Sequence, residues 1–194
     1  EPVAPSPVPD KLVRRVPKEL TVSEIKLLES RFIEAATRAY DAGYDMVQLH
    51  AAHGYLLSTF VSPYTNKRSD VYGGNTMNRA RVLINIINGI RDRLGKSFPV
   101  IVKLQVTDDV PGGMNLEDAI SLVKTMVDAG FAAIEPSGGL YESQLSSRSP
   151  MPSRPIKSAN DEFYFLPLTS SFRSMMGNCK LILVGGVRNP IKAN

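Results

Sequence analysis

The sequence predicts an α/β fold, with parallel strands and helices packed outside them, on three observations. Apolar residues recur at helical spacing in several segments; each of these segments is closed by a glycine; and each glycine leads into a short, mostly apolar run of strand length. The segments from strand to helix are long (51–78, 107–115 and 136–161), whereas the turns from helix to strand are short. Function is therefore expected at the C-terminal ends of the strands.

The first 20 residues carry Pro2, Pro5, Pro7, Pro9 and Pro17 and are expected to run extended over the surface, since proline removes a backbone donor and disfavours helix before it. The single domain then occupies 21–194. Thr21 or Ser23 can cap a helix that presents Ile25, Leu28, Phe32, Ala35 and Ala36 and ends near Tyr40, with Gly43 beyond it. A buried strand is predicted over 44–50. Helix 78–94 leads through Gly95 to strand 99–106, and helix 116–129 leads through Gly130 to strand 131–135. A fourth helix, 162–176, with Phe172, Met175 and Met176 as core, leads through Gly177 to strand 180–184. Repeated helix-to-strand units imply parallel pairing. The loop 140–160 lies on the face expected to be active and is long enough to be a lid, with simple disorder as the alternative reading.

Composition excludes several classes. At 194 residues, 43% hydrophobic and 22% charged, the chain is long enough for a sizeable core, and no window approaches the ~20 apolar residues of a membrane span. The net charge of +4 is spread among both signs without an aromatic-interleaved basic stripe, so nucleic acid is not the expected partner; a small anionic molecule or phosphate-bearing cofactor suits it. A lone cysteine, Cys179, can form neither an internal disulfide nor a metal cluster, which fits a reducing, cytoplasmic setting. The first residues carry no initiator Met and no secretory apolar stretch, so no signal peptide is expected, and upstream sequence is.

Both histidines of the chain fall in one hexapeptide, His50-Ala51-Ala52-His53-Gly54-Tyr55, at the end of a predicted strand. Two imidazoles and a phenol at one strand end can grip a carbonyl or nitro oxygen and deliver a proton. The plainer alternative is a hydrogen-bonded histidine pair closing the strand. Zinc is disfavoured, because a third histidine and a local HExxH pattern are both absent, and no metal is expected.

The run AGYDMVQLHAAHGYLLSTFVSPYTNKRSDVYGGNTMNRARVL, from Ala42 to Leu83, resembles the Old Yellow Enzyme family of FMN-dependent ene-reductases in its HxxHGYLL turn, its SPxTNKRxDxYGG segment and the following NR. The likeness continues through PVIVKLQV, the SGG at 137–139 and LVGGV ending at Val187. It implies a (β/α)8 TIM barrel with FMN at the C-terminal mouth, NAD(P)H as electron donor and a small unsaturated molecule as substrate. Carried over by position, His50 and His53 would bind the activating oxygen of an α,β-unsaturated carbonyl or nitro compound. Tyr55 would protonate the α-carbon. Lys103 stands where the family usually carries an arginine beside the flavin; it keeps the charge without the planar fork. Gly185 and Gly186 would approach the FMN phosphate, with Ser137 and Gly138 near the ribityl or phosphate end. Arg68, Asp70, Tyr72, Gly73, Gly74, Asn78 and Arg79 read as structural, pinning the long loop against the next helix.

Against that family the chain reads as about four βα units, the fourth to seventh strands. Two other functions stay open: an inactive partial-barrel assembly module, whose strand edges at 45–50 and 181–185 a partner or second copy would cover, and a flavoenzyme of the dienoyl-CoA reductase or amine dehydrogenase type.

Overall fold

A computed structural model describes residues 1–12, 14–145, 153–189 and 191, so the middle of the 140–160 loop lies outside the described residues. Residues 1–20 run extended, and β1 (Val3–Ala4) pairs in parallel with β2 (Lys18–Glu19). The guanidinium of Arg68 holds this segment down, donating to the carbonyls of Pro5 (2.8 Å) and Leu20 (2.6 Å), to Glu19 and to both oxygens of Asp70. The pinning expected of Arg68 is thus directed at the N-terminal segment. Gly73 permits it, because a Cβ there would sit 2.2 Å from the Arg68 carbonyl oxygen.

Helix α1 (Val22–Asp41) starts on a reciprocal cap in which Thr21 accepts from the Glu24 N–H and Glu24 accepts from the Thr21 N–H. Strand β3 (Val47–Ala51) begins three residues later than expected. Helix α2 (Leu56–Val61) occupies part of the segment read as loop; its run LLSTFV spans under two turns, too short for its apolar spacing to announce a helix. Helix α3 (Thr76–Leu94) is capped by Asn75, which accepts from the N–H of Asn78, so the helix starts two residues before the predicted boundary. Arg79 lies buried under it, donating to the carbonyls of Val61 and Gly74 and to Asp118.

Strand β4 (Val100–Thr107) lies one residue later than expected, helix α4 (Leu116–Ala129) follows as predicted with Gly130 closing it in the left-handed conformation, and strand β5 (Ala133–Gly138) begins two residues later and ends three residues later than the expected 131–135. The expected helix over 162–176 is instead α5 (Leu166–Ser170) followed by a 3-10 turn at Arg173–Met175. Phe163 sits at φ +57° and Pro167 near the start of α5 has no N–H to continue an earlier turn, so the helix cannot begin at 162. Phe172 and Met176 still enter the core. Strand β6 is confined to Lys180–Leu181.

Strands β3, β4, β5 and β6 form one parallel sheet in chain order. Leu49, Val100, Val102, Leu104, Val106 and Ile134 are buried beneath the helices, whereas Gln48, His50, Lys103 and Glu135 alternate with them on a polar, partly exposed face. Close helix packing supports the buried side. A Cβ on Gly89 of α3 would stand 2.2 Å from Ile33 of α1.

Candidate active site

His50 ends the polar face of β3, and the chain turns through His53 and Gly54 into α2, with Tyr55 at its N-terminal flank. The turn needs two consecutive left-handed residues, His53 at φ +67° and Gly54 at φ +76°. Glycine adopts that conformation freely, but on histidine it costs about 1 kcal/mol or more. Two buried contacts hold it there: the His53 N–H donates to Gln105 Oε1 at 2.7 Å, and His53 Nε2 lies 2.7 Å from Ser137 Oγ.

The predicted trio comes together. The His50 ring centroid is 5.2 Å from that of His53 and 5.2 Å from that of Tyr55, both edge-on. Burial, then the Lys103 cation and His50, push His53 down to about 4, against the pull of Glu135; burial and Lys103 likewise lower His50. Both rings are neutral near neutral pH, so each offers one N–H donor and one acceptor nitrogen.

Lys103 lies on the same polar face, register partner of His50 on one side and of Glu135 on the other. Its ammonium bonds the Glu135 carboxylate, which also accepts from Gln48 at 2.8 Å. Burial works to raise the Glu135 carboxyl, but these hydrogen bonds hold it below its ordinary value.

The glycines and Ser137 are placed as follows. Ser137 is fully buried with its hydroxyl on His53, and a Cβ at Gly138 would meet Thr107 Cγ2 at 2.3 Å. Gly185 and Gly186, at φ +99° and +72°, lie against Tyr164, whose N–H donates to the Gly185 carbonyl. They are not brought into contact with the histidine trio.

Four residues at the site escaped the sequence reading. Gln105 and the fully buried Asp108 back the His53 turn: Gln105 Nε2 donates to Asp108 Oδ1 at 2.7 Å, and Asp108 Oδ2 accepts from Ser62 Oγ (2.7 Å) and the Met114 N–H (2.8 Å). Burial pushes the Asp108 carboxyl up against these donors. Glu135 carried a signal, a lone acid in the apolar run 131–134. Tyr141 carried none; its hydroxyl lies 3.3 Å from that of Tyr55, across 86 residues. A cavity of about 330 Å³ opens beside the tyrosines, lined among others by Val3, Gly54, Tyr64 and Tyr141. Among the described residues, no group of three or more His, Cys, Asp or Glu could hold a metal, and no helix is long and apolar enough to cross a membrane.

The geometry has close counterparts. The NADH oxidase of Thermoanaerobacter brockii is 36% identical over 190 residues, 98% of this chain and 28% of that protein. Among solved structures, a 2-naphthoyl-CoA reductase complex superposes with a TM-score of 0.81 at 30% identity, covering 93% of this chain and 26% of that one. The old yellow enzyme homologue from Zymomonas mobilis gives 0.69 at 25% identity, covering 95% and 51%. The chain thus spans between about a quarter and a half of the length of these proteins, and its parallel sheet is the matching part of their TIM barrel. The family model described as NADH:flavin oxidoreductase / NADH oxidase matches residues 2–157, and the chain belongs to that family.

Proposed function

We propose that this chain carries the substrate-activating half of an FMN-dependent oxidoreductase that reduces the C=C bond of α,β-unsaturated carbonyl or nitro compounds at the expense of NAD(P)H. The observation that carries the reading is the convergence of two neutral imidazoles and a phenol at the end of β3. The donor set suits FMN: Lys103 and His50 are register partners on the open polar face, where a cation and an N–H donor match an electron-rich ring edge. Gly185 and Gly186, in consecutive left-handed conformations in the loop beyond the last strand, are the residues we assign to the phosphate, and Ser137 and Gly138 to the strand end nearest the ribityl chain. FMN, when bound, supplies the hydride.

His50 and His53 donate to the substrate oxygen and stabilise the negative charge that gathers there as the β-carbon is reduced. Tyr55, exposed at the mouth, gives its proton to the α-carbon. Burial, aided by the positive charge of Lys103 next to both histidines, keeps them neutral, so each acts through a hydrogen-bond donor without carrying charge. The setting we propose is the reducing cytoplasm, in keeping with a single free thiol at Cys179.

The test is an absorbance spectrum and an NAD(P)H oxidation assay with 2-cyclohexenone on the complete protein. Flavin bands and enone-dependent oxidation support the reading; a protein that stays colourless with added FMN overturns it. The higher TM-score to the 2-naphthoyl-CoA reductase, 0.81 against 0.69, favours one second reading, a CoA thioester as the unsaturated substrate. An enoyl-CoA in place of the cyclic enone distinguishes the two.

A further inference from the structure

We propose that Ser137 and Gln105 are positioning residues for His53: Gln105, oriented by Asp108, locks its backbone in the left-handed turn, and Ser137 fixes its ring as the Nδ1–H tautomer. The functional weight of this inference rests on the proposed role of His53, but the tautomer itself does not.

The polarity follows from donors and acceptors. Asp108 is fully buried and takes three donors, from Gln105 Nε2, Ser62 Oγ and the Met114 N–H. A carboxylate facing three donors can only accept, which turns the NH2 end of Gln105 toward Asp108 and its Oε1 toward the His53 N–H. The side chain of Gln105 is thereby oriented by a neighbour that never reaches the site. The far end of the chain is set by Ser137. Its side chain is fully buried, and among the described residues its one hydrogen-bond partner is His53 Nε2, at 2.7 Å. Were Nε2–H the donor, the serine proton would be left in the interior without an acceptor. The hydroxyl therefore donates into the Nε2 lone pair, and the imidazole proton resides on Nδ1.

A neutral ring is required for a tautomer to matter, and burial with Lys103 and His50 nearby keeps His53 neutral, against Glu135 as the one facing acid. The consequence is chemical. With Nε2 committed to Ser137, the nitrogen left for a ligand is Nδ1, and it is a donor, as an oxyanion demands and as a metal or a proton-donating ligand would not.

The experiment is nitrogen-15 NMR of the histidine rings in the full chain, which has two histidines, assigned with His50→Gln. The expected spectrum has a pyrrole-like Nδ1 and a pyridine-like Nε2 for His53 near neutral pH. In Ser137→Ala the tautomer ratio should move toward Nε2–H by about tenfold, the equilibrium weight of one buried hydrogen bond. Asp108→Asn, which can offer Gln105 a donor instead of an acceptor, should split the His53 backbone amide into two signals. An Nε2–H tautomer in the unmutated chain overturns the inference whether or not any variant folds, and so does an unchanged ratio in a folded Ser137→Ala. The Nδ1–H form in a complete, FMN-loaded protein that reduces no enone would leave this inference standing and remove the proposed function; an active enzyme with the Nε2–H form would do the reverse.

Discussion

Lys103 and Glu135 face each other across β4 and β5 as register partners, and their ion pair lies on the open face of the sheet beside His50. Burial does most to lower the proton affinity of the imidazoles, and the pair tunes it from two directions, because Lys103 lowers both histidines and Glu135 raises both. Lys103→Met should therefore raise the two ring pKa values and Glu135→Gln should lower them further, read from the ring signals in an NMR titration. Lys103→Met also strands a half-buried carboxylate, with an expected loss of about 1–3 kcal/mol in denaturant unfolding.

Acid should weaken the fold before Glu135 titrates. In the unfolded chain His53 takes up a proton near its ordinary 6.5, but in the fold only at about 4. Between those values the unfolded state binds more protons, so stability falls as pH drops through the window, by up to about 3 kcal/mol. Glu135 acts in a different range: its depressed pKa contributes stability above the ordinary 4.5, which is lost as pH falls further. Urea midpoints measured at steps from about pH 7 to pH 4 check this, and His53→Asn should flatten the upper part of the profile.

The two tyrosines should separate on substitution. Tyr55→Phe removes the proposed proton donor and should slow enone reduction by about 10²-fold or more, while reduction of the flavin by NAD(P)H is unchanged. Tyr141→Phe removes the hydroxyl at 3.3 Å that orients Tyr55, and a loss within about tenfold is expected. Rapid-mixing measurement of each half-reaction distinguishes them. The Tyr55→Phe variant should also bring the Tyr141 phenol down toward its usual pKa, since the hydrogen bond to Tyr55 is what holds it up.

Arg68 should behave as a structural clasp. Its side chain is 6% exposed and serves two backbone carbonyls and two carboxylates at once. Arg68→Ala should cost about 3 kcal/mol and, by freeing the backbone of the N-terminal segment, speed trypsin cleavage at the exposed Lys11, Arg14 and Arg15 in limited proteolysis. Lysine in its place restores the charge without the fork, so rescue should be partial.

The legible part of the site was the part contiguous in sequence. His50, His53 and Tyr55 share one turn, and Lys103 stands out as a cation within an apolar strand. Glu135 was visible as an isolated acid, but its pairing with Lys103 depends on how two parallel strands align, which no local pattern encodes. The Gln105 and Tyr141 contacts join residues 52 and 86 positions apart and left no trace in spacing. In the fold, the helices with polar caps and a glycine or alanine terminus, α1, α3 and α4, were readable over most of their length. The segment after β5 was not, because Pro167 and the left-handed Phe163 break a pattern whose apolar spacing alone looks helical.

Among the described residues the strands of the sheet pair in the order in which they occur in sequence, and that order bears on how the site forms in time. The crossover from β4 through α4 to β5 is the shortest of the three, so it sacrifices the least chain entropy on closing and is the natural nucleus. The charged platform of Lys103 and Glu135 would then form before the strand that carries the imidazoles docks beside it. A destabilising change in α4 should slow refolding, whereas one in the His53 turn should mainly speed unfolding.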